Sequence, residues 1–142
     1  MKTTLLFLVF LLATFGIANL SCKKNTKCEG GSYSKGYIIG FDPCTALSSN
    51  EKGYVIKFDD NQDTIVMYFN LPNTISIPSG LYSNYVNDFL FPNGYRNIFI
   101  INAKYHEANA AEKKIIFCNG LVYLGDFIRA TKNKQFVLDC LK

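Results

Sequence analysis

Five cysteines, one histidine and a scatter of carboxylates are the residues of this 142-residue chain with chemistry to offer. Cys22, Cys28, Cys44, Cys118 and Cys140 form an odd set, which in an exported protein leaves one thiol over. The spacings between the last four, 16, 74 and 22 residues, contain no close pair of the kind that holds zinc or makes a CxxC redox centre. Disulfides in an oxidising compartment are the better reading of those four. Three connectivities are open. Cys44 follows the first strand-like stretch and Cys118 ends a later one, so the preferred pairing is Cys44–Cys118 with Cys28–Cys140, which would pin both ends of one domain.

His106 could act as a general base only beside a nucleophile and an orienting carboxylate. It falls at the end of a strand-like stretch, next to Glu107, and reads as an exposed surface histidine. Asp59, Asn61 and Asp63 mimic the first ligand positions of a calcium loop. Thr64 stands where that loop needs glycine, however, and Asn70 stands where it needs glutamate. The run is better read as a polar hairpin turn. Asp42, Asp88, Glu112 and Asp126 are too scattered for sequence to pair them as glycosidase carboxylates. No catalytic set, metal site or cofactor is expected, and the chain reads as a non-enzyme. The tyrosines stand out instead: each buried hydroxyl needs a partner, and nine exceed what a small core accommodates. Tyr82, Tyr85 and Tyr95 are therefore taken as a candidate binding surface.

The elements that would position these residues are mostly strands. Period-two alternation places Tyr37, Ile39 and Phe41 on one face of a first strand, and Tyr54, Ile56 and Phe58 on one face of a second. Ile65, Met67 and Phe69 share a face of the third strand, which follows the five-residue turn 59–63. Phe99, Ile101, Ala103 and Tyr105 mark a fourth. Residues 75–77, 114–123, 127–130 and 135–140 supply further short strand candidates. Residues 83–91 could form one or two helical turns, and the Ala-rich stretch 107–113 a turn or loop. The expected fold is all-β, mainly antiparallel: an OB-like barrel, closed or partly closed, of six or seven strands with at most one short helix. A compact sandwich is the alternative.

The N-terminus carries an address. Lys2 precedes an apolar stretch from Leu5 to Ala18. As a helix it would reach roughly 21 Å, short of the roughly 30 Å hydrocarbon core, so it reads as a secretory segment rather than a spanning one. Leu20-Ser21-Cys22 resembles a bacterial lipobox, with small Ser21 fitting the pattern and Asn19 standing where Leu is usual. Lipidation of Cys22 would leave an even four cysteines. The organisation expected is a signal peptide over 1–21, lipidated Cys22 with a tether to residue 34, and one domain over 35–142. Removing Lys2 with the leader takes the net charge from +4 to +3. Outside the tether lysines the basic residues are dispersed, which argues against nucleic acid as a partner.

Gly36-Tyr37-Ile38-Ile39-Gly40-Phe41-Asp42-Pro43-Cys44, then Gly53-Tyr54-Val55-Ile56 and Asn70-Leu71-Pro72, resemble small Gram-negative lipoproteins of unassigned activity. The resemblance implies a lipid-anchored β domain and carries no catalytic residue. In the sorting of such proteins, Asp after the lipidated cysteine favours inner-membrane retention. Lys23 stands there, so the resemblance implies the outer membrane, and the basic tether points to its periplasmic face. The expected partners are the membrane, through the lipid, and an envelope protein or glycan. A periplasmic inhibitor or immunity-type protein, similar in build to small lipoprotein lysozyme inhibitors and presenting residues 82–95 as a plug, is the alternative.

Overall fold

A computed structural model describes residues 28–48, 51–61, 63–83, 86–118, 122 and 124–142. The leader, Cys22 and the tether up to residue 27 lie outside the described residues, as does Tyr85. Among the described residues the fold is mostly β: a mixed sheet of five strands and one α-helix. The strands are β1 (Ser34–Phe41), β2 (Lys52–Phe58), β3 (Thr64–Phe69), β4 (Ile100–Glu107) and β5 (Gln135–Leu141), with α1 (Gly125–Thr131) between the last two. Neighbours run β1-β2-β3-β5-β4, and β4 pairs back onto β1. All pairs are antiparallel except β3 with β5.

Alternation explains three strands directly. Tyr54, Ile56 and Phe58 of β2, Ile65, Met67 and Phe69 of β3, and Ile101 and Ala103 of β4 all point into one buried cluster. The loop between β2 and β3 spans residues 59–63 as expected. It is held by an Asx turn in which the Asp63 amide donates to Asn61 Oδ1 at 2.9 Å. The opposite face of β2 and β3 is buried as well. Val55 and Val66, directly paired, lie under Phe89 and Phe127. Helix α1 thus covers the outside of the sheet, and the molecule has an interior cluster and a second layer.

β1 departs from the expected face. Ile38 and Phe41 are the interior residues, and Ile39 packs in the second layer. Between the pairs Ile38↔Ile56 and Gly40↔Val55, Ile39 has no partner on β2, so the strand bulges there and its facing flips. Residues 89–91 dock on the bulge: the Phe41 amide donates to Phe89 O at 2.9 Å and the Phe91 amide to Ile39 O at 2.8 Å. Gly40 makes this approach possible, because a Cβ there would sit 2.2 Å from Phe89 O.

Among the described residues five strands form rather than six or seven. Ile75 and Ile77 pack against the interior cluster from an irregular segment, without pairing as a strand. Of the expected stretch 114–123, residues 114–118 pair with no strand, and 119–121 and 123 lie outside the described residues. Residues 127–130 belong to α1 and not to a strand. Its seven residues make an Asp126–Arg129 pair at i,i+3, and Lys132 at its C-cap adopts a left-handed φ of 52°. The described part of 83–91 holds no helix. A 3-10 turn, Ser79–Tyr82, precedes it instead.

Both expected disulfides are present, Cys28–Cys140 and Cys44–Cys118, with Cα separations of 5.5 and 4.7 Å. Residues 28–33, read as tether from composition, are fastened to the domain by the first of these. Tyr33 adds to the fastening by lying under the ammonium groups of Lys104 and Lys142. In the loop-entropy account each crosslink is worth about 4–5 kcal/mol alone, and less together because one loop encloses the other.

The docking at Gly40 yields a test. Gly40→Ala should destabilise by about 2–3 kcal/mol, since the methyl group overlaps a backbone oxygen that cannot swing away. Gly80→Ala, where a Cβ would meet nothing within 4 Å, should change stability by less than about 0.5 kcal/mol. Urea unfolding of both variants measures the difference.

Candidate functional site

The polar side chains gather in two places at one end of the sheet. The first is a buried node after β1. Asp42, 2 % exposed, accepts at Oδ1 from the Cys44 amide (2.9 Å) and at Oδ2 from the Tyr68 hydroxyl (2.7 Å). Thr45 Oγ1 donates to Asp42 O and accepts from the Gly53 amide, both at 2.9 Å. Burial pushes the Asp42 carboxyl above its usual range, against the two hydrogen bonds that favour the carboxylate. Burial and the facing Asp42 raise Tyr68 further. These bonds join the turn that carries Cys44 to β2 through Gly53 and to β3 through Tyr68, so the node is architectural.

The second place is His106. Its Nδ1 lies 2.8 Å from Asp139 Oδ2, and its Nε2 lies 3.2 Å from both oxygens of Glu112. Two local devices aim those carboxylates. Asp139 is the extra residue of a second bulge, falling between the pairs Lys104↔Cys140 and Tyr105↔Leu138, and a bulge re-aims a side chain. Glu112 belongs to a reciprocal cap. Asn109 Oδ1 accepts from the Ala111 and Glu112 amides, while Glu112 Oε2 accepts from the Asn109 amide at 3.1 Å.

Beyond Glu112 opens a cleft of about 360 Å³ lined by Glu51, Tyr68, Phe69, Lys114, Gln135 and Phe136 among others. That volume is at the small end for ligand sites. Its rim is stitched by the Lys114–Glu51 ion pair. It is also stitched by Gln135, whose amide both accepts from Lys114 N (2.7 Å) and donates to Lys114 O (2.9 Å). The Gln135 side chain thereby imitates a strand neighbour at Lys114.

In this geometry His106 is a clasp. Both ring nitrogens face carboxylates, so a substrate would have to displace Glu112 to reach Nε2. Among the described residues no group of three His, Cys, Asp or Glu is arranged to hold a metal ion. The other carboxylates considered as a pair are each engaged in local bonds. Asp88 Oδ1 accepts from the Leu90 amide, and Asp126 pairs with Arg129. In the hairpin Asp63 pairs with Lys132, and Asp60 accepts from Ser34.

The tyrosines separate. Tyr82 packs edge-on to Phe41 and Phe91, and its hydroxyl engages Tyr54, with burial pushing both phenols up. Tyr95 is 40 % exposed on another 3-10 turn, Asn93–Tyr95. Sequence reasoning missed the partners of His106 and the exposed apolar residues Leu47, Ile115 and Phe117. The spacing Asn109-x-x-Glu112 was a usable signal for the cap, whereas Asp139 depends on strand pairing. No family model, curated protein or solved structure matches the chain.

Hydrogen bonds to Asp139 and then Glu112 hold the His106 pKa above its ordinary value of 6.5. A raised folded-state value means that the clasp contributes fully below the unfolded pKa and is lost as pH rises through the folded one. His106→Gln should therefore lower stability at pH 6 by no more than about 1 kcal/mol, because the ring is partly exposed and screened, and the deficit should vanish in alkali. Following the imidazole resonances by NMR should give a midpoint above 6.5 that Asp139→Asn moves down. An unshifted midpoint would rule the clasp out.

Proposed function

We propose that this protein is a lipid-anchored module of the bacterial envelope, held at the outer membrane by Cys22 and working by binding rather than catalysis. The supporting observation is cysteine bookkeeping in three dimensions. Two disulfides occupy Cys28, Cys44, Cys118 and Cys140, and Cys22 is the one cysteine of five left over. Disulfides persist where the surroundings are oxidising. An exported protein with one surplus cysteine either pairs it with another chain or modifies it. Leu20-Ser21 ahead of Cys22 favours modification, and several acyl chains on one residue give stable attachment where a single chain does not.

The strand order, with β3 and β5 parallel and β4 returning to β1, fits the OB-type Greek-key barrel inferred from the sequence. That scaffold lends itself to binding. A binding role is preferred to the inhibitor role because Tyr82, the first residue of the supposed plug, is committed to the core.

Cell fractionation tests the anchoring. The wild-type chain should sediment with membranes and incorporate labelled palmitate, while Cys22→Ser should do neither and appear in the soluble envelope fraction. Continued membrane association of Cys22→Ser without label would defeat the proposal.

A further inference from the structure

Three large apolar side chains stand in solvent around one disulfide. Ile115 is 83 % exposed, Phe117 88 % and Leu47 75 %. Ile115 and Phe117 stand two residues apart in the unpaired segment 113–118, with the less exposed Ile116 between them. Leu47 follows the 3-10 turn Pro43–Thr45, which Cys44–Cys118 ties to that segment. The exposure is built in. The segment is fixed at one end by the paired Gln135 amide on Lys114 and at the other by the disulfide at Cys118. The Leu47 turn is fixed by Lys52, whose ammonium donates to the carbonyls of Thr45, Ala46 and Ser48 at 3.3, 2.7 and 2.6 Å. Rigidly presented apolar side chains of this size mark a contact surface.

The charges around the ridge indicate what it touches. Lys113 and Lys114 adjoin Ile115 in sequence, Lys114 being paired with Glu51, while the Lys52 ammonium is taken up by the carbonyls of the Leu47 turn and leaves Lys113 as the cation facing outward. The nearby carboxylates are engaged, Glu51 by Lys114 and Glu112 by His106. Apolar tips beside lysine stems suit the boundary of an anionic bilayer, where the tips enter the acyl edge and the ammonium groups stay at the headgroups.

We propose that Leu47, Ile115 and Phe117 form a second membrane contact that lays the domain on an anionic lipid surface. The inference rests on the anchored reading for its geometry. Six residues from Cys22 to Cys28 reach at most roughly 20 Å when fully extended. A domain of this size has a radius of gyration of about 13 Å. The tether therefore keeps the domain within roughly 20 Å of the headgroups, close enough for it to turn a chosen side toward them.

The chain has no tryptophan, so Phe117→Trp introduces a single reporter at a site exposed enough to accept it. The lipidated protein would be reconstituted in vesicles of phosphatidylcholine with about one-third phosphatidylglycerol, a strongly anionic surface. Its emission should shift blue relative to detergent-free Cys22→Ser/Phe117→Trp in buffer and be quenched by bromine-labelled lipid. Adding Ile115→Ser or Lys113→Glu should reduce both effects. A water-like, unquenched emission in vesicles from a protein that still fractionates with membranes overturns the ridge while sparing the anchor. A blue shift that grows with protein concentration in the absence of vesicles assigns the ridge to a second copy of the chain and likewise overturns it. Should Cys22 prove unlipidated, the same reporter with added anionic vesicles decides the ridge by itself, a shift supporting it and no shift ending it.

Discussion

The extra residue in β1 governs the rest of the molecule. With Ile39 unpaired between Ile38↔Ile56 and Gly40↔Val55, β1 presents Ile38 and Phe41 to the interior and Ile39 to the outside. An unbulged strand would put Ile38 and Phe41 on opposite faces. The bulge also frees the Ile39 carbonyl and the Phe41 amide to receive residues 89–91. That docking carries Phe91 into the interior cluster and Phe89 into the second layer against Phe127. One inserted residue thus sets the composition of both cores and fixes the long connection between β3 and β4.

From the end of β1 the constraint passes to the Asp42 node. A carboxyl at 2 % exposure is costly to bury, and it is tolerated because each of its oxygens receives a donor, the Cys44 amide at one and the Tyr68 hydroxyl at the other. The node holds Cys44 at the mouth of the sheet, and Cys44 holds Cys118. Residues 113–118 are therefore positioned by covalent and side-chain bonds where a strand would be positioned by a ladder. Such a segment is free to expose what a ladder strand would bury, which is why Ile115 and Phe117 can stand in solvent on a rigid support.

Much of this was legible in the sequence, for identifiable reasons. The interior faces of β2, β3 and β4 followed from period-two spacing of large apolar residues, whereas the burial of Val55 and Val66 on the other face under Phe89 and Phe127 did not. The disulfide pairing was reached by placing Cys44 just past the first strand, which holds, and Cys118 at the end of a later one, which does not, since residues 114–118 pair with no strand. β1 misled because the alternation of its side chains fits either face and nothing local marks a bulge; only Gly40, needed for the approach of Phe89, hints at it. α1 misled because Phe127, Ile128 and Ala130 suit a short strand or a short helix equally. The Asp126–Arg129 spacing and the left-handed stop at Lys132 and Asn133 decide for helix. Residues 114–118 have strand composition, and no propensity could say that a glutamine side chain would replace their neighbour.

The candidate site divides along the same line. Glu112 reaches His106 through a cap within four residues, a local pattern. Asp139 reaches it through a bulge in the pairing of strands whose contacting residues are 33 apart, which no local pattern encodes. The two bulges serve opposite ends in one fold, Ile39 turning an apolar side chain outward to be covered and Asp139 turning a charge toward a partner. In both cases the displaced residue links the sheet to chain outside it: residues 89–91 through β1, and the 109–113 cap through His106 and Glu112. The cap and Gln135 then fix where residues 113–118 begin, and the disulfide fixes where they end. The exposed ridge is consequently the last product of a chain of constraints that starts in the sheet, and its rigidity is inherited from them.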